Sequence, residues 1–151
     1  MQQRLNAFAA APETIKAAQA LEAHIAASGL EQSLYHLVKT RASQINGCAF
    51  CVHMHTRDAR AHGETEERLY LLSAWRESPL YTARERAALA WTEALTLIAD
   101  THAPDDVFAE LKPHFTDAEI VNLTMLIGMI NLWNRLAISM RQIHPVKAKA
   151  A

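Results

Sequence analysis

The chain reads as an all-α protein, and three features of the sequence predict it. Half of its 151 residues are hydrophobic, with Ala and Leu prominent and only four Gly and five Pro, which is helix-forming composition. Most Pro and Gly stand at the ends of segments whose apolar residues recur at helical spacing, not inside them. Two segments open on a capping-box pattern, Thr82-Ala83-Arg84-Glu85 and Thr116-Asp117-Ala118-Glu119. Together these predict a compact bundle of about six to seven helices with a long central helix at the C-terminal end. At this length one domain over residues 1–151 is expected, burying about 70% of its unfolded surface.

The first helix opens at Pro12-Glu13-Thr14 and runs to about Ser28, closed by Gly29, with Ile15, Ala18, Leu21 and Ile25 as its apolar stripe. The next spans about Glu31 to Gln44, carries Leu34, Leu37 and Val38, and ends at Asn46-Gly47. Gly takes the left-handed conformation that stops a helix at little cost. Cys48 to about His62 has no Pro or Gly and closes on Gly63, which predicts a third helix. Glu64-Thr65-Glu66-Glu67 then places acids in the first turn of a helix through Leu69, Leu72 and Trp75 to about Ser78-Pro79.

The first capping box opens a helix to about Asp100, and Pro104-Asp105-Asp106 starts a short one to about Leu111. The second opens the longest helix, expected to run until Pro145 forbids continuation. From Ile120 to Met140 that helix is apolar nearly all round, which raises the question of a membrane span. Asn122, Asn131, Asn134 and Arg135 would be costly in lipid, so it is read as a core helix. Its apolar surface is wider than one small domain covers, which predicts a homo-oligomer.

A net charge of −1 supplies no electrostatic footprint for nucleic acid or an anionic membrane, and neither is expected as a partner. The opening Gln2-Gln3-Arg4 is polar and lacks a charged-then-apolar export signal, so a cytoplasmic, reducing location is expected. Two cysteines in such a chain point to redox or metal chemistry rather than to a disulfide framework.

Both cysteines fall in Ser43-Gln44-Ile45-Asn46-Gly47-Cys48-Ala49-Phe50-Cys51-Val52-His53-Met54-His55. Cys48 is placed at or inside a helix N-terminus, where unpaired backbone N–H groups and the macrodipole favour a thiolate. At about 100° per residue, Cys48, Cys51 and His55 fall within roughly 60° of one another, and His53 lies about 160° around from Cys51. Three residues advance about 4.5 Å along a helix, compatible with the Cα separation a disulfide requires. An imidazole one turn beyond the second thiol can take its proton. The pattern is that of a redox dithiol.

The run Ser43-Gln44-Ile45-Asn46-Gly47-Cys48-Ala49-Phe50-Cys51, with His55-Thr56-Arg57 and Ala61-x-Gly63-Glu64, resembles the AhpD-like alkyl hydroperoxidase branch of the carboxymuconolactone decarboxylase family. Arg68-Leu69-x-x-Leu72-x-Ala74-Trp75-Arg76-Glu77 and Asn131-x-Trp133-Asn134-Arg135 resemble it too, so the likeness runs over residues 34–137. It implies an AhpD-like helical fold, trimers or hexamers, and thiol-dependent peroxidase or disulfide-reductase activity. By the same resemblance Cys51 is the peroxide-reacting thiol, Cys48 the resolving thiol and His55 part of a proton relay. The implied partners are a hydroperoxide substrate and a dithiol reductant or redox partner protein. One position departs: where the family's relay carries a glutamate twelve residues before the first cysteine, this chain has His36. An imidazole passes protons but cannot supply the negative charge that holds His55 protonated.

Blander readings stand beside these. The plainer alternative, set below the redox one, is that the cysteines are small buried apolar residues and His55 a satisfied interior histidine. His36 divides between the relay and the core, and His53 is expected on the other face. His24, His62, His102, His114 and His144 have no partner pattern, and Trp75, Trp91 and Trp133 read as core or interface anchors. Cys48, Cys51, His55 and His36 are also ligand types suited to zinc. Three of them come from one helix, whereas structural zinc sites draw pairs from separate turns, so no metal or other cofactor is expected. Lactone decarboxylation would leave the cysteine pair unexplained, and a non-catalytic scaffold would leave the motif only a packing role.

Overall fold

The computed structural model describes residues 2–146, and among them all regular secondary structure is helical, with no strand. The order is α1 (Ala7–Ala10), α2 (Pro12–Ala26), α3 (Gln32–Ile45), α4 (Ala49–Ala61), α5 (Glu66–Leu71) with a 3₁₀ turn (Leu72–Ala74), α6 (Ala83–Thr96), α7 (Ile98–Thr101), α8 (Asp105–Ala109) and α9 (Asp117–Ser139). Every helix predicted above is present. Both capping boxes form, the Thr82 and Thr116 side chains each accepting from the backbone of the glutamate three residues on.

Two short helices are additional. The Asn6 side chain accepts from the N–H groups of Phe8 and Ala9 at 3.1 and 3.2 Å and starts α1. Leu97 leaves helical geometry (φ −104°, ψ 32°), so the segment expected to reach Asp100 divides into α6 and α7.

The C-terminal helix stops at Ser139, short of Pro145. The Arg141 N–H donates to Ile138 O at 3.1 Å and the Gln142 N–H to Ala137 O at 2.9 Å, a paired closure that satisfies the last carbonyls. Arg141 takes the left-handed position of that closure at φ 53°. A completed end, not the proline, terminates the helix.

The most enclosed element is α3. Leu34 and Val38 pack it against Ala88 and Trp91 of α6 and Leu123, Leu126 and Ile127 of α9, and Leu37 packs with Leu89 of α6. Each such fully buried aliphatic side chain stabilises the fold by about 1.5–3 kcal/mol relative to exposure. This burial extends to the polar residues of α3, so His36, Lys39, Thr40 and Ser43 are drawn inside with the aliphatic ones. α9 leaves an outward row of Val121, Met125, Leu132 and Ile138 exposed. Among the described residues no helix is long and apolar enough to cross a membrane.

Candidate functional site

The turn between α3 and α4 creates the site. Gly47 at φ 68° lets the chain reverse, with its N–H on Gln44 O at 3.2 Å and the Cys48 N–H on Ser43 O at 3.0 Å. Cys48 is then extended (φ −83°, ψ 92°) and serves as N-cap of α4, its sulfur accepting the Cys51 N–H at 3.4 Å. One residue thus closes α3 and opens α4. Beneath the turn, Asn46 Nδ2 donates to the Oδ1 atoms of Asn131 and Asn134 at 2.9 and 2.8 Å. Asn134 Nδ2 donates to Ser43 Oγ at 3.0 Å, and Ser43 Oγ donates to Lys39 O at 2.7 Å. Asn134 and Ser43 are fully buried, and this satisfied network fixes the turn to α9.

Cys48 and Cys51 are free thiols, each buried. The Cys48 thiol is drawn down to about 7, first by a hydrogen bond from the Cys51 thiol and then by the N–H groups of Cys51 and Phe50 and the Asn134 amide, against the opposing effect of burial. Cys51 is pushed up by that same bond, by burial and by the Cys48 charge. The two thiols therefore titrate as a coupled pair, the charge on one opposing loss of the proton from the other. Lys39 acts against the rise at Cys51, its charge favouring a thiolate there.

His55 is buried on the same helix. Burial foremost, and then the Lys39 and His36 charges, depress its imidazole to about 3, so it is neutral at physiological pH. His36, which stands where the resemblance calls for a glutamate, is 7% exposed, and neither of its ring nitrogens has a hydrogen-bond partner. Burial, followed by His62 and Lys39, holds it below the ordinary histidine value. Cys51, His55 and His36 line one cavity of about 370 Å³ whose apolar walls include Phe50, Met54, Trp133 and Leu136. Cys48 does not line it.

An acid is nevertheless present. Glu22 reaches the same cavity from α2, accepting on Oε1 from Lys39 Nζ and the Tyr35 hydroxyl and on Oε2 from Trp133 Nε1 at 2.8 Å. Burial would raise this carboxyl, but the Lys39 charge and the three donors hold it below the usual range. Lys39 is 4% exposed, and burial lowers it while Glu22 opposes. Sequence reasoning missed both residues. The predicted stripe of α2 contained Leu21, which is 40% exposed; the inward row is Ile15, Ala18, Glu22 and Ile25, whose spacing of three and four already carried a carboxylate among apolar residues.

His62, read from sequence as partnerless, stands against His36 with ring centroids 4.7 Å apart. Its Nδ1 meets Asp58 O at 2.8 Å, and Asp58 also lines the cavity. His53 lies outside the cavity, stacked on His144 at 4.8 Å. Trp75 and Trp91 are core residues, whereas Trp133 is part of the cavity wall. Among the described residues no group of three or more His, Cys, Asp or Glu side chains is arranged to hold a metal ion.

The model of the carboxymuconolactone decarboxylase family matches residues 12–94. The uncharacterized protein YdfG of Bacillus subtilis is 41% identical over 140 residues, 93% of this chain and 95% of that protein. The crystal structure of ATU0492 from Agrobacterium tumefaciens, described as a protein of unknown function and a candidate antioxidant defence protein AhpD, superposes with a TM-score of 0.94 at 53% identity, covering 97% of this chain and all of that one. An uncharacterized peroxidase-related protein from Silicibacter sp. TM1040 shares the fold, with a TM-score of 0.82 at 24% identity over 93% of this chain and 74% of its own.

Proposed function

The chain belongs to the carboxymuconolactone decarboxylase family, in its AhpD-like branch, and on that premise we propose that it is a thiol-dependent peroxidase acting on organic hydroperoxides through Cys51 and Cys48. The observation that carries the reading is the division of labour around Cys51. Cys51 lines a largely apolar cavity with neutral His55, while its backbone N–H donates to the Cys48 sulfur.

In this reading the proton of the pair passes from Cys51 to Cys48, and the Cys51 thiolate attacks the terminal oxygen of ROOH. The sulfur–oxygen bond forms as the O–O bond breaks, giving Cys51 sulfenic acid and an alkoxide that takes a proton from the His55 imidazole. His36 and solvent-exposed His62 supply the route by which that proton is restored. Cys48 then attacks the Cys51 sulfur; the disulfide forms and water leaves. One hydroperoxide becomes one alcohol and one water while two thiols become one disulfide. Lys39 favours the attacking thiolate, and Glu22 holds Lys39 in place and charged. The acid that α2 supplies thus serves Lys39, while His55 stays neutral.

The test is hydroperoxide consumption with a dithiol reductant for the wild type, Cys51→Ser and Cys48→Ser. Both variants are expected to lose turnover, with a sulfenic acid trapped by dimedone only where Cys51 remains. Unchanged turnover in Cys51→Ser would overturn the proposal.

A further inference from the structure

The two cysteines line different cavities. Cys51 faces the one described above, whereas Cys48 lines a second, of about 370 Å³, bounded by Arg4, Gly47, Ala49, Ile138 and Arg141. Phe50, Ala137 and Gln142 form the wall common to both. No carboxylate lines the second cavity. Neither arginine is in an ion pair with a carboxylate among the described residues.

Both arginines are held in place by backbone. Arg4 donates its N–H to Met140 O at 2.9 Å and its guanidinium to Ser139 O at 3.1 Å, which ties the N-terminal segment to the end of α9. Arg141 occupies the left-handed closing position of α9, where Gly is the usual residue and a side chain costs about 1–2 kcal/mol. The start of α4, a helix of 13 residues, adds partial positive charge at Cys48 itself.

We propose that this arginine-lined cavity admits the reductant, and that the reductant is a thiol bearing an anionic group close to its sulfur. The proposal rests on the dithiol reading above. Thiol–disulfide exchange proceeds in line with the breaking S–S bond and depends on which sulfur is accessible. A thiolate that displaces Cys51 must reach Cys48 from the side turned away from Cys51, and Cys48 is the cysteine that lines the cavity with the arginines. The incoming thiolate bonds to Cys48, the Cys48–Cys51 bond breaks, and its electron pair leaves on Cys51, which takes a proton. A second thiol, from the same molecule or another, attacks the reductant's sulfur and releases Cys48 as thiolate. Two thiols are oxidised to one disulfide and the protein pair is reduced. Hydroperoxide and reductant then enter by separate doors and do not compete for one cavity.

The experiment starts from the protein disulfide formed with diamide, so that it does not depend on peroxide turnover. Its reduction is timed with 3-mercaptopropionate, 2-mercaptoethanol and cysteamine, each rate expressed per thiolate. The anionic thiol is expected to exceed the cationic one by about tenfold or more at low ionic strength. That ratio should collapse in about 1 M salt, where screening acts over about 3 Å, and in the Arg4→Gln/Arg141→Gln variant. The trapped mixed disulfide should map to Cys48. Equal rates, a preference that survives the double variant, or an adduct on Cys51 would overturn the proposal while leaving the dithiol reading intact. Failure of diamide and of hydroperoxide alike to form the disulfide would sink both.

Discussion

The Cys51 backbone N–H points at the Cys48 sulfur across 3.4 Å, so the first cysteine is held as an acceptor by the helix that the second belongs to. Both cysteines are buried to the same extent, yet the Cys48 thiol is drawn down and the Cys51 thiol is pushed up.

That asymmetry is open to titration. Thiolate absorbance at 240 nm should rise through about pH 7 in the reduced protein, on Cys48. Removing the thiol donor in Cys51→Ala withdraws a charge-assisted hydrogen bond of about 1.5–3 kcal/mol, and so should raise the Cys48 midpoint by about one to two pH units. A midpoint that stays at 7 would mean that the helix N-terminus alone sets it.

His55 couples the fold to acidity. Its imidazole is neutral in the folded protein down to about pH 3, whereas the unfolded chain takes up the proton near 6.5. Stability is therefore whole above pH 6.5 and is lost as pH falls toward 3, at up to about 1.4 kcal/mol per pH unit for this one group. Urea denaturation at pH 7, 6, 5 and 4 should show that slope in the wild type and a shallower one in His55→Gln. Parallel curves would remove His55 as the cause.

Lys39 and Glu22 form an ion pair with side-chain exposures of 6% and 20%. In Lys39→Met the carboxylate keeps Tyr35 and Trp133 as donors but loses its counter-charge, and a loss of about 3 kcal/mol is expected. Adding Glu22→Gln should restore part of that stability without restoring peroxide turnover. Denaturant midpoints and the peroxide assay on the same preparations check both halves.

The two left-handed helix ends predict opposite signs. At Gly47 an added Cβ meets nothing within 4 Å, so Gly47→Ala costs only the backbone term of about 1–2 kcal/mol. Arg141→Gly relieves the same term and should raise thermal stability by up to about 1 kcal/mol. Calorimetry of the two variants against wild type decides it; stabilisation by Gly47→Ala would contradict the closure described.

The helices and the Cys48–Cys51 turn were legible because their causes are local. Pro12, Gly29, Gly47 and the threonine–glutamate boxes act within a few residues of themselves, and the predicted helices appear where those residues stand. The end of α9 was misplaced because Pro145 is conspicuous in a sequence, whereas a non-glycine residue in the left-handed closing position is not. Nothing in the sequence singled out Lys39; the packing of α3 on several neighbours buried it.

From the sequence alone came the all-helical class and the Cys48–Cys51 turn, which depend on residue type and on spacing along a single strand of chain, and, through the resemblance, the place of His36 where the family's relay has an acid. The tertiary structure alone decided that Glu22 reaches the cavity of Cys51 and pairs with Lys39, that His62 meets His36, and that Cys48 and Cys51 line separate cavities. Helical periodicity places a side chain around its own axis and says nothing of which other helix arrives there. Burial, which sets the charge of His55 and of the thiol pair, exists only once those helices have packed.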